Sequence, residues 1–224
     1  MELHSEKVLK GHTAVRCVEV WNDFLCSGSS AGTIRVWNER RCCVKILQGH
    51  SKAVNCLTVW KNLLCSGSSD NTIRLWNSEW NCVKILQGHT NTVRSMRVWK
   101  NLLFSSSLDH TIRSWNETGE CLSVLKGHTN PVYCLEVWHD CLCSGSHDST
   151  IRVWNERGDC VKMLEGHSGS VHCLTVWKNV LCSGSDDKTI RLWNSEWNCV
   201  RVLQGHLFSE EYESMEQSPL SWRY

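Results

Sequence analysis

The 224-residue sequence has almost no net charge, no long apolar run and no apolar segment near its start. Its 24 basic and 23 acidic side chains leave a formal net charge of +1, which creates no long-range field to attract nucleic acid or an anionic membrane. The opening residues MELHSEKVLK are charged, unlike a signal peptide. No apolar run approaches the length of a membrane span. We therefore expect no nucleic-acid or membrane partner and a cytoplasmic location, with a nuclear one also open.

Cysteine and tryptophan, in contrast, are abundant, with 15 and 13 residues. An odd number of cysteines without a signal peptide argues against a secreted disulfide scaffold. Most cysteines recur at two strand positions instead of in CxxC pairs: Cys17, Cys56, Cys134 and Cys173, and Cys26, Cys65, Cys143 and Cys182. This pattern favours reduced thiols packed in a core, with zinc ligation as the minor alternative. We expect no metal and no cofactor.

The chain is an internal repeat. Gly-His pairs place histidines 38 or 39 residues apart, at His12, His50, His89, His128, His167 and His206. Trp-Asn pairs are each 39 residues apart, at Trp37, Trp76, Trp115, Trp154 and Trp193. The nine residues TIRLWNSEW occur at 72–80 and again at 189–197. A fixed period of this length indicates a stacked or radial repeat architecture.

Each repeat contains four short apolar-rich runs. In the copy at 49–87 they are VNCLTVW, LLCSGS, TIRLW and CVKIL, separated by the turn-forming segments KN, SDN and NSEWN. No run is long enough for a helix, and the residues favour strands. The pattern predicts an all-β chain of four-stranded antiparallel meanders. Apolar residues on both faces of each sheet require a neighbouring sheet on each side.

Four-stranded sheets at this period, bounded by Gly-His and by a Trp, resemble the WD-repeat β-propeller family, and the resemblance covers residues 7–206. It implies a β-propeller of five complete four-stranded antiparallel blades plus an incomplete sixth. The propeller domain is placed at 1–206, with an orphan strand at 7–10 and a divergent C-terminal tail at 207–224. Its units lie at about 13–48, 51–87, 90–126, 129–165 and 168–204.

The resemblance also implies a hydrogen-bonded tetrad in each blade, made of a His, a Ser on the second strand, an Asp in the following turn and the third-strand Trp. The four sets are His50, Ser66, Asp70 and Trp76; His89, Ser105, Asp109 and Trp115; His128, Ser144, Asp148 and Trp154; and His167, Ser183, Asp187 and Trp193. The first unit has Ala31 at the Asp position, so His12 is expected to lack its acidic partner. A Ser-His-Asp hydrolase is disfavoured, because nearly identical sets in successive units suit a buried network better than catalysis. We predict no catalytic residue and no enzyme.

Two further series repeat without variation. The third-strand arginines could form a basic ring, but an inter-blade or surface role is favoured; they are Arg35, Arg74, Arg113, Arg152 and Arg191. The tryptophans that end the first strand could form an aromatic belt, but packing at the blade edges is favoured; they are Trp21, Trp60, Trp99, Trp138 and Trp177.

Two other positions vary between otherwise similar units. In the WD-repeat family the working surface is most often the face that carries the loops before the first strand and after the second. The positions expected on that face are Arg16, Asn55, Arg94, Tyr133 and His172, and Ser30, Ser69, Leu108, His147 and Asp186. Variation confined to one face is typical of a binding surface, although unrestrained loop tips also vary.

Units three apart are the most alike: RVWNER is shared by the first and fourth, TIRLWNSEWNCV by the second and fifth. A block of three units was therefore duplicated, yet the residues after His206 lack the unit pattern. We expect a gap in the ring, or a second copy that fills it by forming a homo-oligomer through the open blade edge.

The resulting prediction is a non-enzymatic scaffold or adaptor that binds a protein or peptide on the propeller face. One alternative is a truncated, incompletely closed propeller fragment without independent function. Another is the substrate-recognition part of a ubiquitin-ligase assembly, because the repeats look most like those of F-box/WD-type and related WD-repeat adaptor proteins. The sequence itself shows no F-box, RING or coiled coil.

Overall fold

The computed structural model describes residue 11 and residues 13–204. The predictions for the orphan strand at 7–10, for His12 and for the tail at 207–224 lie outside these residues. The described part contains 20 strands in five four-stranded antiparallel sheets. None of its residues forms a helix able to span a bilayer. The prediction of an all-β propeller with five four-stranded blades is confirmed.

The strands follow one another along the chain within each blade. Blade 1 comprises β1 (Val15–Trp21), β2 (Phe24–Ser29), β3 (Ile34–Trp37) and β4 (Cys43–Leu47). Blade 2 comprises β5 (Val54–Trp60), β6 (Leu63–Ser68), β7 (Ile73–Trp76) and β8 (Cys82–Leu86). Blade 3 comprises β9 (Val93–Trp99), β10 (Leu102–Ser107), β11 (Ile112–Trp115) and β12 (Cys121–Leu125). Blade 4 comprises β13 (Val132–Trp138), β14 (Cys141–Ser146), β15 (Ile151–Trp154) and β16 (Cys160–Leu164). Blade 5 comprises β17 (Val171–Trp177), β18 (Val180–Ser185), β19 (Thr189–Trp193) and β20 (Cys199–Gln204).

A two-residue hairpin joins the first and second strands of every blade. Both of its residues have positive φ, for example 49° at Lys61 and 60° at Asn62. Two successive residues of positive φ match the right-handed twist of paired strands. The segments read as turns from the sequence, such as KN at 61–62, are these hairpins.

Each of blades 2, 3 and 4 buries both of its faces. We call the face toward the preceding blade the leading face; in blade 2 it carries Val54, Leu57, Ser66, Arg74 and Trp76. We call the face toward the next blade the trailing face; in blade 2 it carries Trp60, Cys65, Ile73, Leu75 and Leu86. The blade 2 trailing face packs on the blade 3 residues Val93, Met96, Leu103 and Trp115.

These junctions form the core of the protein. Each fully buried large apolar side chain contributes about 1.5–3 kcal/mol. A single blade therefore gains most of its stability from its neighbours.

The blades pack in a continuous arc. The innermost strands contact one another in the order β1, β5, β9, β13 and β17, and within the described residues β17 does not pack comparably on β1. The leading face of blade 1 and the trailing face of blade 5 are consequently more exposed than their counterparts. The tryptophans at the end of the first strand pack at the junctions: Trp21, Trp60, Trp99 and Trp138 are buried, and Trp177 is exposed.

Candidate binding face and the tetrads beneath it

A buried hydrogen-bonded chain supports the loops of blade 2. Trp76 Nε1 donates to Ser66 Oγ at 2.9 Å, and Ser66 Oγ lies 2.8 Å from His50 Nε2. His50 Nδ1 lies 2.7 Å from Asp70 Oδ2. With Asp70 ionised, His50 Nδ1–H donates to the carboxylate and His50 Nε2 accepts the serine proton. Every polar side-chain atom of these four residues then has a hydrogen-bond partner.

The same geometry recurs in blades 3, 4 and 5. The distance from His Nδ1 to Asp Oδ2 is 2.7 Å in each blade, and that from His Nε2 to Ser Oγ is 2.8 Å; the residues are His89, Asp109 and Ser105, His128, Asp148 and Ser144, and His167, Asp187 and Ser183. The indole donates to the same serine from Trp115, Trp154 and Trp193. The hydroxyl in each network is the first Ser of the SGS or SSS triplet.

The Asp of each tetrad also fixes the turn that contains it. Asp70 accepts from the backbone N–H of Ser51 and from both the N–H and the hydroxyl of Thr72. Burial raises the pKa of the Asp70 carboxyl, but the hydrogen bonds from Thr72 and His50 outweigh it and the net pKa is lowered. Burial lowers the pKa of His50. An anionic Asp70 beside a neutral His50 is therefore the stable state near neutral pH.

Blade 1 has a different network because Ala31 replaces the turn Asp. Trp37 Nε1 still donates to Ser27 Oγ at 2.7 Å. His12, the remaining member, lies outside the described residues.

The tetrads are closed to substrates. Ser66, Ser105, Ser144 and Ser183 are fully buried, and the four histidine side chains are at most 1% exposed. A nucleophilic serine must reach a substrate carbonyl. This arrangement is a structural network that ties two loops to the third strand.

The variable position on the first strand is a β-bulge in all five blades. In blade 2, Val54 pairs with Ser68 and Cys56 pairs with Gly67, so Asn55 is left without a cross-strand partner. The same register shift isolates the equivalent residue elsewhere, namely Arg16, Arg94, Tyr133 and His172. A bulge re-aims a side chain away from the regular face of a sheet. The five variable residues thus lie outside the regular alternation that places their neighbours in the apolar junctions.

The second variable series lies beside the first. The backbone N–H of Ser69 donates to the carbonyl of Ala53 at 2.8 Å. The equivalent bonds are made by Ser30, Leu108, His147 and Asp186. Each bond ties the turn after the second strand to the segment before the first. We call the end of the propeller that carries both series the loop face.

Neighbouring blades connect along the loop face. Arg16 Nη1 lies 3.4 Å from Asn55 Oδ1. Asn55 Nδ2 donates to Ser69 Oγ in its own blade and to the backbone carbonyl of Val93 in the next. Residues 39 positions apart are therefore neighbours in space.

Blades 3 to 5 carry a group of aromatic and charged side chains that we call the Tyr133 cluster, made of Arg94, Tyr133, His147, His172 and Asp186. The Arg94 guanidinium lies 5.4 Å from the centre of the Tyr133 ring. The His172 ring is stacked on the Tyr133 ring, with the ring centres 4.8 Å apart. His147 meets Tyr133 edge-on at 6.1 Å.

A hydrogen-bonded pair closes one end of the Tyr133 cluster. His172 Nε2 lies 2.8 Å from Asp186 Oδ2. The hydrogen bond from His172 lowers the pKa of the Asp186 carboxyl. Both side chains remain exposed and accessible to a partner.

The third-strand arginines of blades 2 to 5 lie against the segments that join each blade to the one before it. Arg74 Nη1 is 3.7 Å from Cys82 Sγ, and a β carbon on Gly49 would lie 2.8 Å from the same nitrogen. The glycine of the Gly-His pair leaves room for this guanidinium, and Gly88, Gly127 and Gly166 are equally close to theirs. This placement is inter-blade, one of the two roles favoured from the sequence.

Most of the inner cysteines are buried or half-buried thiols. Burial raises the pKa of Cys17 and of Cys26 to about 12, and it raises the pKa of Cys56, Cys65, Cys134 and Cys143 as well. Cys173 and Cys182 are less buried, because they lie on the trailing face of blade 5. Among residues 11 and 13–204, no three His, Cys, Asp or Glu side chains converge as metal ligands would.

The sequence reading missed the ion pairs between blades. Arg97 lies 3.3 Å from Glu136 of the next blade, and Lys100 lies 2.8 Å from Glu156. The sequence could have indicated the first of these pairs, because Arg97 and Glu136 are equivalent residues one period apart. Arg16 and Asn55 show that such equivalent residues are neighbours in space.

Comparisons with known proteins agree with this architecture. The WD40 family (WD domain, G-beta repeat) matches residues 3–38, 41–77, 80–116, 119–155 and 158–194. The later matched units begin one strand before each blade, at the fourth strand of the preceding blade. No curated protein matches the sequence.

Two solved structures are similar over most of the chain. The computationally designed Ika8 protein has a TM-score of 0.78 and 29% identity, covering 88% of this chain and 64% of its own. The chain thus spans slightly less than two thirds of that protein. The WD40 beta propeller domain of Doa1 has a TM-score of 0.76 and 25% identity, covering 86% of this chain and 69% of its own. With five matched repeats and five WD-type blades, the chain belongs to the WD40 repeat family.

Proposed function

We propose that this chain is a non-enzymatic scaffold that binds a protein or peptide segment on its loop face, centred on the Tyr133 cluster. WD40 propellers generally mediate protein interactions, which supports a binding role but identifies no partner. The position of the site rests on the bulge side chains, which gather on the loop face.

The unpaired guanidinium of Arg94 is the observation that carries the proposal. Arg94 forms no ion pair within the described residues, and its Nε is buried without a hydrogen-bond partner. Two cations close to it in the sequence, Arg97 and Lys100, have carboxylate partners. A guanidinium held over an aromatic ring and lacking an anion is suited to a carboxylate supplied by a partner.

Tyr133 gives the same site an apolar anchor. Its ring is partly exposed between Arg94 and His172. Tyrosine and arginine dominate the energetics of protein interfaces because they bury large areas and keep a polar group. The expected ligand is a peptide segment with an acidic side chain next to an apolar one.

A random-peptide display selection on the 224-residue chain tests this proposal. Peptides selected on the native protein are then measured against Arg94→Ala and Tyr133→Ala. We expect each substitution to weaken binding at least tenfold, or about 1.4 kcal/mol, with melting temperatures nearly unchanged. Selected peptides should be enriched in Asp or Glu.

Arg157→Ala is the matched control. Arg157 is exposed in the loop between β15 and β16, at the other end of the blade from the loop face. The control should bind the selected peptides normally. Peptides that bind Arg94→Ala and Tyr133→Ala as tightly as the native chain would place the binding surface elsewhere.

The resemblance to F-box/WD-type receptors and the cytoplasmic location stay sequence-based predictions. The loop-face site would serve a ubiquitin-ligase receptor and a signalling adaptor equally well. Identification of proteins that Arg94→Ala fails to capture separates these two roles.

A further inference from the structure

The fourth strand of each blade lies on the outer rim of the propeller and has one open edge. In blade 3 the strand order is β12-β11-β10-β9, so β12 pairs with β11 on one side, and no strand within residues 13–204 pairs with its other side. An open strand edge presents a row of N–H and C=O groups with which another strand can pair. Blade 3 is the middle blade of the five, so two blades separate this edge from either end of the described chain.

The rim strands expose apolar side chains. In β12, Leu122 is 54% exposed and Val124 is 37% exposed. Their equivalents in β8, Val83 and Ile85, are 48% and 43% exposed. Apolar character alone therefore does not distinguish β12 from the other rim strands.

The charge at the third residue of the strand does distinguish β12. In blade 3 this residue is Ser123, whose Oγ lies 2.6 Å from Ser114 Oγ of β11. In the other four blades it is a cation, at Lys45, Lys84, Lys162 and Arg201. A cation on an edge strand discourages pairing with another chain. The edge of β12 lacks this protection.

The two residues that flank β12 carry opposite charges. Glu120 precedes the strand and Lys126 follows it; both are exposed, and neither forms an ion pair within the described residues. Hydrogen bonds from Asn116 and Thr118 lower the pKa of the Glu120 carboxyl. Glu120 is therefore anionic at neutral pH.

These features make β12 complementary to itself. Antiparallel pairing of two copies about Ser123 brings Glu120 of one copy close to Lys126 of the other, because position 123 is midway between 120 and 126. Opposite charges then meet at both ends of the paired strands. Leu122 of each copy lies opposite Val124 of the other, and such cross-strand pairs stabilise a sheet.

The other rim strands do not suit this pairing. In β16 it would place Lys162 opposite Lys162 of the second copy and bring Asp159 close to Glu165. Like charges directly opposite one another are destabilising. In blades 1, 2 and 5 the flanking residues are uncharged and the central cation would face itself. A register shift near the start of the fourth strand occurs in all five blades, so it does not separate β12 from the others.

We propose that β12 is a dimerisation edge, which pairs antiparallel with β12 of a second copy of this chain. The contact joins the third blades of the two copies into one eight-stranded sheet. Both copies use the same surface, so the contact closes on itself and produces a dimer. The edge lies on the outer rim and not on the loop face, so the proposal goes beyond the peptide site.

Sedimentation velocity of the full chain over a wide range of protein concentration tests for this dimer. Ser114→Val combined with Ser123→Lys gives blade 3 the residue types that blade 4 has at Val153 and Lys162, so the blade should fold. This double variant should dimerise at least tenfold more weakly than the native chain. Ser114→Val alone is the matched control and should dimerise like the native chain.

An exchange of charges tests the register of the pairing. Glu120→Lys alone and Lys126→Glu alone should each weaken dimerisation at least tenfold at low salt, because like charges then meet at both ends. The two substitutions in one chain should restore dimerisation, because opposite charges meet again. Asp159→Lys, the equivalent change in blade 4, is the control and should leave dimerisation unchanged.

Three outcomes would overturn the proposal. One is a native chain that stays monomeric at every concentration, and another is assembly that continues beyond the dimer. The third is a dimer that the Ser114→Val, Ser123→Lys chain forms as tightly as the native chain, because such a dimer uses another surface. Failure of the combined charge exchange to restore dimerisation would exclude antiparallel pairing about Ser123.

Discussion

Two adjacent serines on β10 have opposite surroundings. Ser105 Oγ accepts from Trp115 and contacts His89 in the tetrad, whereas Ser106 Oγ is buried without a partner. The other blades have glycine at the position of Ser106. We predict that Ser106→Ala stabilises the protein by about 1 kcal/mol, and that Ser105→Ala destabilises it by about 1–3 kcal/mol, because the first removes an unsatisfied hydroxyl and the second creates unsatisfied groups. Urea unfolding midpoints measure both, and shifts in the same direction would contradict this assignment.

A second prediction compares the turn Asp of blade 4, Asp148, with Ala31 at the same position of blade 1. Asp148 accepts from His128, from the N–H of Thr129 and from both donors of Thr150. Asp148→Ala should destabilise by about 1–3 kcal/mol, because these donors lose their acceptor. Ala31→Asp supplies the residue that blade 1 lacks and should be neutral or stabilising.

Asp159→Ala is the control for Asp148→Ala, because Asp159 is exposed and its carboxylate accepts only from the Asn155 side chain. Its melting temperature should stay close to that of the native protein. Equal losses from Asp148→Ala and Asp159→Ala would mean that the tetrad contributes nothing beyond a surface turn.

At the scale of the strand, the β-bulge separates packing from recognition. Val132 and Cys134 face opposite sides of the sheet although Tyr133 lies between them, and they pair with the adjacent residues Ser146 and Gly145. Val132 is completely buried against blade 3, so Val132→Ala should cost about 2 kcal/mol. Tyr133→Ala keeps the bulge and should cost no more than about 1 kcal/mol of ring contacts. Chemical denaturation of both variants checks the difference, and equal costs would show that Tyr133 contributes as much to packing as Val132.

The strands and the bulges differ in how far the sequence predicts them. Runs such as VNCLTVW and turn pairs such as Lys61-Asn62 carry local signals, and the strands follow them. The bulge at Asn55 depends on which residues of β6 lie opposite, so the run itself gives no sign of it. The variability of this position did indicate the loop face. The members of the Tyr133 cluster were all expected on the loop face, but the contacts between Arg94, Tyr133 and His172 could not be predicted, because they depend on how three blades pack.

At the scale of the whole molecule, repetition predicts the blades but not their cooperation. The 39-residue period defines every unit. The ion pairs between a Lys of one blade and a Glu of the next can be recognised only once the neighbouring blades are known. Blades 2, 3 and 4 bury both faces, whereas blades 1 and 5 each bury one. In a linear array, stability is the sum of unit and junction contributions, so the end blades should open more readily than the middle ones.

Hydrogen exchange should therefore show amide protection that rises from blades 1 and 5 towards blade 3. Amides of β18 in blade 5 should exchange faster than those of β6 in blade 2, although the two strands differ in only one residue, Val180 for Leu63. Local composition cannot explain such a difference, because it is nearly identical, and only the missing junction remains as its cause. Uniform protection across all five blades would mean that the outer faces of blades 1 and 5 are already covered in the protein.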